Sequence, residues 1–233
     1  HVDDCAHCKG AGLEKSPAAT PLNANSPSIA IIGGGLGGLA LAVACQHRGI
    51  PFTIYERDEH FDQRAQGYGL TMQQATKALE GFGISELQAG ITSTKHVVHR
   101  PDGTVVGEWG LRKWGRSAAK ASPRRRNVHI PRQSLRYELL QALGGHDRVQ
   151  WSHRLVDIQD REGHVDLSFQ VGNDASVKKV QADIVVGADG IRSSVRKQLI
   201  GDADSPLRYL DCMVILGICP VENIDESALL DGE

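Results

Sequence analysis

Three glycines and one glutamate are spaced so that their backbone and side-chain groups could bind a ligand. Gly33, Gly35 and Gly38 follow the apolar run 29–32 in the spacing G-x-G-x-x-G. The first glycine allows a tight turn out of a strand, the second lets a pyrophosphate approach the backbone, and the third lets a helix pack closely. Glu56 ends the next apolar run, where an acid can accept both hydroxyls of an adenosine ribose. The pattern predicts a site for the adenylate half of a dinucleotide.

A strand, a helix and a second strand must position these residues. The run 29–32 is typical of a buried parallel strand, and the segment 39–48 predicts a helix that stops at Gly49. The helix N-terminus would direct N–H groups at the phosphates, and 51–55 would form the second strand. Glutamate at position 56 favours an unphosphorylated ribose, as in FAD or NAD, over NADP. The alternative is a glycine-rich turn that binds nothing.

A second candidate site residue is Arg132, at the start of a predicted helix over 132–143. Leu135, Leu139 and Leu143 recur at helical spacing and are expected to pack inward. A cation in the first turn opposes the helix dipole, which predicts an anionic partner such as a cofactor phosphate. A solvated surface arginine is the alternative.

The later part of the chain predicts antiparallel strands followed by one more buried strand. Alternating segments between 152 and 180 predict a three-stranded meander, and 182–187 predicts a buried strand that ends near Asp189. That aspartate could contact a ligand at the sheet edge or cap the next helix, whose N-cap is expected to be Ser193. Another strand-rich region is expected over 209–220.

The stretches between Glu56 and Arg132 are less specific. The segment 73–82 predicts an amphipathic helix that continues over 84–87, and 96–100 with 104–109 predicts a hairpin. The basic stretch 113–126 has two interpretations, a solvated surface or a region that attracts a phosphate-bearing nicotinamide.

Composition indicates an ordinary globular protein. The 233 residues carry a formal net charge of -2, which gives no general attraction to nucleic acid. No apolar run has the length of a membrane span, and five cysteines without a regular framework suggest a reducing, cytoplasmic location. The pair Cys5 and Cys8 lacks a second ligand pair, so no metal site is predicted. We expect a flexible leader over 1–27, a cofactor domain over 28–205 and the beginning of a substrate domain over 206–233.

In combination these features resemble the FAD-dependent monooxygenases of the aromatic hydroxylase type, similar to salicylate hydroxylase and 4-hydroxybenzoate hydroxylase. The resemblance covers about residues 28–220. Four stretches carry it: Gly33 to Gly38 with Glu56-Arg57, Gly67-Tyr-Gly-Leu-Thr71 ahead of a helical pattern over 75–87, Arg132-x-x-Leu135-x-x-x-Leu139, and Asp189-Gly-Ile-Arg-Ser-Ser-Val-Arg196. It implies an α/β fold: a Rossmann-like FAD-binding domain, incomplete at its carboxyl side, with an inserted antiparallel β-meander and the start of a substrate-side sheet.

The resemblance also implies site residues. Gly69 would lie along the cofactor by its backbone, Arg132 would reach its phosphate and ribityl region, and Leu155 or Val156 would touch adenine through the backbone. Asp189 and Arg196 would order the groove where the pyrophosphate and a passing nicotinamide meet. The implied cofactor contacts are Gly33, Gly35, Leu36, Gly37, Gly38, Glu56, Arg57, Gly69, Arg132, Val156 and Asp189. No catalytic side chain is named, since His96, His99, His129 and His153 are candidates by type only.

The implied reaction uses FAD, with NADPH or NADH and O2, to hydroxylate or epoxidise a small aromatic or polyketide- or terpenoid-like substrate. Alternatives are a halogenase or prenyl reductase on the same flavin fold, and an inert FAD-binding module. The family's later Gly-Asp motif is absent from these 233 residues, so an amino-terminal part of such an enzyme is expected. The pattern does not indicate an oligomeric state.

Overall fold

A parallel sheet forms the middle layer of the protein. The computed structural model describes residues 20–64, 68–72, 75–84, 86–92, 96–109, 128–172, 176–201, 203–204 and 207–215. The strands of the sheet are β1 (Ile29–Ile32), β2 (Phe52–Tyr55), β8 (Val149–Gln150) and β12 (Ile184–Gly187). Their order is β12-β1-β2-β8, and β1 pairs in parallel with both neighbours. The strand-helix-strand prediction for the glycine region is therefore confirmed.

Two helices cover one face of this sheet. They are α1 (Leu36–His47) and α3 (Arg132–Ala142), and they pack against Ile31 and Ile54 in one apolar core. The predicted inward side chains Leu135, Leu139 and Leu143 are all buried there. Helix α1 begins three residues before the predicted start because the helix follows the glycine loop directly, with Gly35 as its N-cap.

An antiparallel meander covers the other face. Its strands are β9 (His153–Arg161), β10 (His164–Val171) and β11 (Val177–Ala182). Alternate residues of β1 and β2 point to this side, where Ala30, Ile32 and Tyr55 join Leu167 and Phe169 in a second core. The ring of Tyr55 stacks on that of Phe169 with centroids 4.3 Å apart. The fold has three layers, and the predicted meander and α/β class are confirmed.

Smaller elements lie beside these layers. They are β3 (Gly69–Thr71), α2 (Ala75–Gly81), β4 (Ile91–Thr92), β5 (His96–His99), β6 (Val105–Trp109), β7 (Val128–Pro131), a 3-10 turn (His146–Arg148) and α4 (Ser194–Ile200). Strands β3, β7 and β4 form an antiparallel sheet, and β5 with β6 forms the predicted hairpin. No helix in the described ranges is both long enough and apolar enough to cross a membrane.

Three sequence expectations were wrong. Strand β12 is not buried: among the described strands it pairs in the parallel sheet with β1 alone, and Ile184 is 41% exposed. The helix predicted over 73–82, seen as α2 (Ala75–Gly81), does not continue over 84–87, because Gly83 adopts a φ of 81° and the described residues after it are outside helices. Residues 209–215 form no strand: their backbone pairs with no described strand, and their apolar side chains are exposed.

Other expectations lie outside the described residues. These are the leader up to residue 19 with Cys5 and Cys8, Gly67, the basic stretch 113–126, and everything beyond 215. The division at 27 and 205 stays a prediction.

Candidate dinucleotide-binding site

A cleft of about 780 Å³ lies at the carboxyl ends of β1, β2 and β12. Its walls come from the loops after these three strands, from the start of β9 and from the first turns of α3. Open parallel sheets bind ligands at this edge, and the volume lies within the range of about 300–1,000 Å³ typical of small-molecule sites. The chain therefore brings together, in one place, most of the residues singled out from sequence.

The glycine loop after β1 is tightly packed at Gly33 and Gly38 and open at Gly35. Gly33 has a φ of 110°, and a Cβ there would lie 2.5 Å from the carbonyl oxygen of Ala188. A Cβ on Gly38 would lie 1.9 Å from the carbonyl oxygen of Gly33, so α1 packs closely on the loop. A Cβ on Gly35 would meet nothing within 4 Å. The backbone is thus open toward the cleft at Gly35, at the N-terminus of α1, where the helix dipole favours an anion.

Glu56 is buried at the end of β2 and is held by two backbone amides. Its Oε2 accepts a hydrogen bond of 2.7 Å from the N–H of Gly34, and its Oε1 accepts one of 3.0 Å from the N–H of Asp58. Each carboxylate oxygen can accept a second hydrogen bond. Glu56 lines the cleft, and a carboxylate with this remaining acceptor capacity can bind hydroxyl groups.

A second buried carboxylate, that of Asp58, lies next to Glu56 and is neutralised by Arg64. The Nε of Arg64 donates to Oδ2 of Asp58 at 2.9 Å, and its Nη2 donates to Oδ1 of the same group. The Nη2 also lies 3.9 Å from Glu56. The hydrogen bond with Asp58 raises the pKa of Arg64, so this guanidinium stays charged. Arg64 thus pairs directly with Asp58 and lies near Glu56, and it offsets one of the two negative charges of these adjacent acids.

Arg136 is the most buried of the site residues that sequence reasoning missed, which also include Asp58 and Arg64. It is only 2% exposed, and its Nε and Nη1 donate to the carbonyl oxygens of Gly34 and Phe61 at 2.8 and 3.0 Å. Burial lowers the pKa of its guanidinium, and the nearby carboxylates of Glu56 and Asp58 oppose this effect only in part. The sequence did contain a sign of this role: position 136 lies on the helix face that carries the buried leucines, where a charged residue is unexpected.

Arg132 lines the cleft at the start of α3. Its Nη1 donates to the Tyr68 hydroxyl at 2.8 Å, and the guanidinium lies 5.4 Å from the centre of the Tyr68 ring. The tyrosine therefore holds this side chain beside the cleft. Its predicted contact with a cofactor phosphate stays a prediction.

Asp189 caps α4. Its Oδ1 accepts from the Ser193 hydroxyl at 2.5 Å, and its Oδ2 accepts from the N–H groups of Ser194 and Val195 at 2.6 and 3.2 Å. The N-cap role of Ser193 is confirmed, since its Oγ accepts from the N–H of Arg196 at 2.9 Å. Of the two interpretations left open by the sequence, the structure shows the cap, and Asp189 also lines the cleft.

The remaining predicted contacts divide into two groups. Leu36, Gly37, Arg57, His153 and Leu155 line the cleft. Outside its lining lie Gly38, Gly69, Val156, His96, His99 and His129. The space beside Gly69 is filled by the His129 ring, because a Cβ on Gly69 would lie 2.0 Å from Nε2 of His129. Val156 is 45% exposed on the opposite side of β9 from Leu155. Contacts of Gly69 and Val156 with a cofactor stay predictions.

The sequence model of the FAD binding domain family matches residues 27–213 of this chain. The chain belongs to this FAD binding domain family. It is 30% identical over 190 residues to the FAD-dependent monooxygenase thnD of Trichoderma harzianum, which covers 81% of this chain and 45% of that protein. It is 27% identical to the 3-amino-4-hydroxybenzoate 2-monooxygenase PtmB3 of Streptomyces platensis, over 78% of this chain and 44% of that protein. The FAD binding domain thus spans less than half the length of these two relatives.

A solved structure supports the fold of this FAD binding domain. The 2,6-dihydroxypyridine-3-hydroxylase from Arthrobacter nicotinovorans superposes with a TM-score of 0.60 at 24% identity, over 79% of this chain and 41% of that chain. The predicted resemblance to FAD-dependent monooxygenases and the predicted mixed α/β architecture are confirmed.

Proposed function

We propose that the chain provides the FAD-binding part of a monooxygenase that uses NADH or NADPH and O2 to hydroxylate or epoxidise a small organic substrate. The observation that carries the proposal is the buried carboxylate of Glu56, held by the N–H of Gly34 beside an open glycine loop. The relatives support the reaction class, since their names include a 3-amino-4-hydroxybenzoate 2-monooxygenase and a zeaxanthin epoxidase from Oryza sativa subsp. japonica that is 30% identical over 195 residues. Aromatic and polyketide- or terpenoid-like compounds are the proposed substrates.

The residues of the cleft fit FAD. Glu56 would accept the ribose hydroxyls, and the loop at Gly35 with the N-terminus of α1 would hold the pyrophosphate. Arg57 and Arg132 add positive charge along the cleft wall. Bound FAD would supply hydride transfer and oxygen chemistry, while the protein binds, orients and shields the reacting groups.

We assign the described residues to binding of the cofactor rather than to the oxygenation step. The buried guanidinium of Arg136 and the amides at Gly34 and Asp58 hold the adenylate side of the cleft in one shape before a ligand enters. Such preorganisation avoids an ordering cost on binding. The chain's own contribution is therefore proposed to be tight, oriented retention of the adenylate half.

The proposal is tested by titrating the purified chain with FAD and following flavin fluorescence. The unmodified chain should bind FAD and turn yellow, and Glu56→Gln should weaken binding by about ten- to a hundredfold, because charge-assisted hydrogen bonds contribute about 1.5–3 kcal/mol each. Glu162→Gln, in the exposed turn of the meander, is the matched control and should bind as the unmodified chain does.

A colourless protein that takes up no added FAD would contradict the proposal, as would undiminished binding by Glu56→Gln. The reaction class needs a second measurement. With a longer protein that contains this chain, substrate-dependent consumption of NADH or NADPH and O2 distinguishes a monooxygenase from a prenyl reductase, which consumes no O2.

A further inference from the structure

Two consecutive peptide planes of the glycine loop are fixed by side chains of opposite charge. Glu56 accepts from the N–H of Gly34 at 2.7 Å and so fixes the plane between residues 33 and 34. Arg136 donates to the carbonyl oxygen of Gly34 at 2.8 Å and so fixes the plane between residues 34 and 35. Because a trans peptide directs its N–H opposite to its C=O, Arg136 also sets the direction of the Gly35 N–H.

Three adjacent glycines need such a restraint. Glycine populates positive and negative φ about equally, so the run 33–35 has access to several orientations of its peptide groups. In some of them the carbonyl oxygen of Gly34 would face the cleft, where it would repel a phosphate. A guanidinium that binds this oxygen removes those orientations before the ligand arrives.

Arg136 is placed for this task rather than for an ion pair. Its Nε and Nη1 donate to backbone carbonyls, those of Gly34 and Phe61, and its guanidinium lies 4.6 Å from the centre of the Phe61 ring. An aliphatic side chain would fill the same position between α3 and the loop without the cost of burying a charge. The cost is offset by the two carbonyl hydrogen bonds, by the Phe61 and Trp151 rings and by the nearby carboxylates of Glu56 and Asp58, and of these the carbonyl bonds alone fix the glycine loop.

We propose that Arg136 is a positioning residue that locks the Gly34–Gly35 peptide with its carbonyl turned from the cleft and its N–H available to the pyrophosphate of the dinucleotide. The proposal rests on the proposed function, since it assumes that the cleft takes FAD. It predicts that Arg136 supports binding of the diphosphate more than binding of the nucleoside, which Glu56 would hold.

The experiment compares three probes, FAD, ADP and adenosine, on the full chain. Arg136→Met should weaken FAD and ADP by about ten- to a hundredfold, the effect of losing a charge-assisted hydrogen bond. It should change adenosine affinity by less than about threefold. Arg136→Lys, which keeps the charge but has a single donor group, should fall between the unmodified chain and Arg136→Met. Arg148→Met is the matched control, because that arginine lies over the Phe52 ring outside the cleft.

The outcomes are distinct. If the unmodified chain binds FAD and Arg136→Met binds FAD and ADP equally well, the inference is overturned and the proposed function stands. Equal losses for all three probes would also overturn it, because they would show a general structural effect. If the unmodified chain binds no FAD, the proposed function itself fails.

A second measurement covers the case in which Arg136→Met does not fold. In the unmodified chain without ligand, the backbone amide of Gly35 should have an NMR order parameter near that of rigid backbone, about 0.85. A value below about 0.6 would overturn the inference, since the peptide would then be unrestrained.

Discussion

Replacing Gly38 by alanine tests the closeness of α1 to the glycine loop. The new Cβ would lie 1.9 Å from the carbonyl oxygen of Gly33 and 3.3 Å from Cγ2 of Ile31. Real Cβ atoms essentially never come within 3.0 Å of such an atom, and the obstacle here is backbone rather than a flexible side chain. The helix or the loop must therefore move by about 1 Å in a closely packed region.

The neighbouring glycine supplies the control and the magnitude. A Cβ on Gly37 would meet nothing within 4 Å, so Gly37→Ala should gain the helix preference of alanine, about 1 kcal/mol. Gly38→Ala has the same gain but also an overpacking cost of about 3 kcal/mol, the upper part of the usual range because backbone must move. We expect a net loss of about 2 kcal/mol in the free energy of unfolding. The two variants should thus differ by about 3 kcal/mol.

Thermal unfolding followed by circular dichroism, without FAD, measures the difference. Since 1 kcal/mol shifts Tm by about 2–4 °C in a domain of this size, Gly38→Ala should lower Tm by about 4–8 °C and Gly37→Ala should raise it by about 2–4 °C. Equal Tm values for the two variants would refute the reasoning, because they would show that α1 does not pack against the loop at Gly38.

Three further outcomes follow from individual contacts. Gly33→Ala should lose about 2–3 kcal/mol in urea unfolding, because its φ is 110° and its Cβ would lie 2.5 Å from the carbonyl oxygen of Ala188. The hydroxyl and N–H of Ser28 donate to Asp183 and lower its pKa below 3.8. The unmodified chain should therefore be more stable than Asp183→Asn above about pH 4, and this difference should disappear as the pH falls through the pKa of Asp183 in the folded state. Urea unfolding midpoints of both proteins across that pH range measure the difference. Asp189→Ala should cost about 1 kcal/mol and speed hydrogen exchange of the first amides of α4.

Local patterns predicted the parts of the fold that local physics determines. The spacing of Leu135, Leu139 and Leu143 was sufficient for α3, because a helix buries one face by its own periodicity. The glycine loop was predictable from its spacing, since a tight turn and a closely packed helix require glycine at positions 33 and 38. The obstacle at Gly38 is local, the carbonyl of Gly33, whereas the obstacle at Gly33 is the carbonyl of Ala188, which the local pattern does not reveal.

Contacts between distant segments could not be predicted in this way. Arg136 meets carbonyls 102 and 75 positions away, and a helical pattern shows only that position 136 faces inward. Asp189 was ambiguous because a carboxylate near a helix start can bind a ligand or the helix amides. The exposure of Ile184 depends on which elements cover β12, a property of the sheet order and not of the strand's own residues.

The pairing of β1 with β12 also determines when the cleft can exist during synthesis on the ribosome. Ser28 and Asp183 meet across 155 positions of sequence, so at roughly 5–20 residues per second the partner strand emerges roughly 8–30 s after the glycine loop. During that interval the cleft lacks the wall formed after β12, including Ala188 and Asp189. The complete cleft therefore exists only after β12 has docked on β1, and any ligand contact with the wall at Ala188 and Asp189 can form only after that step.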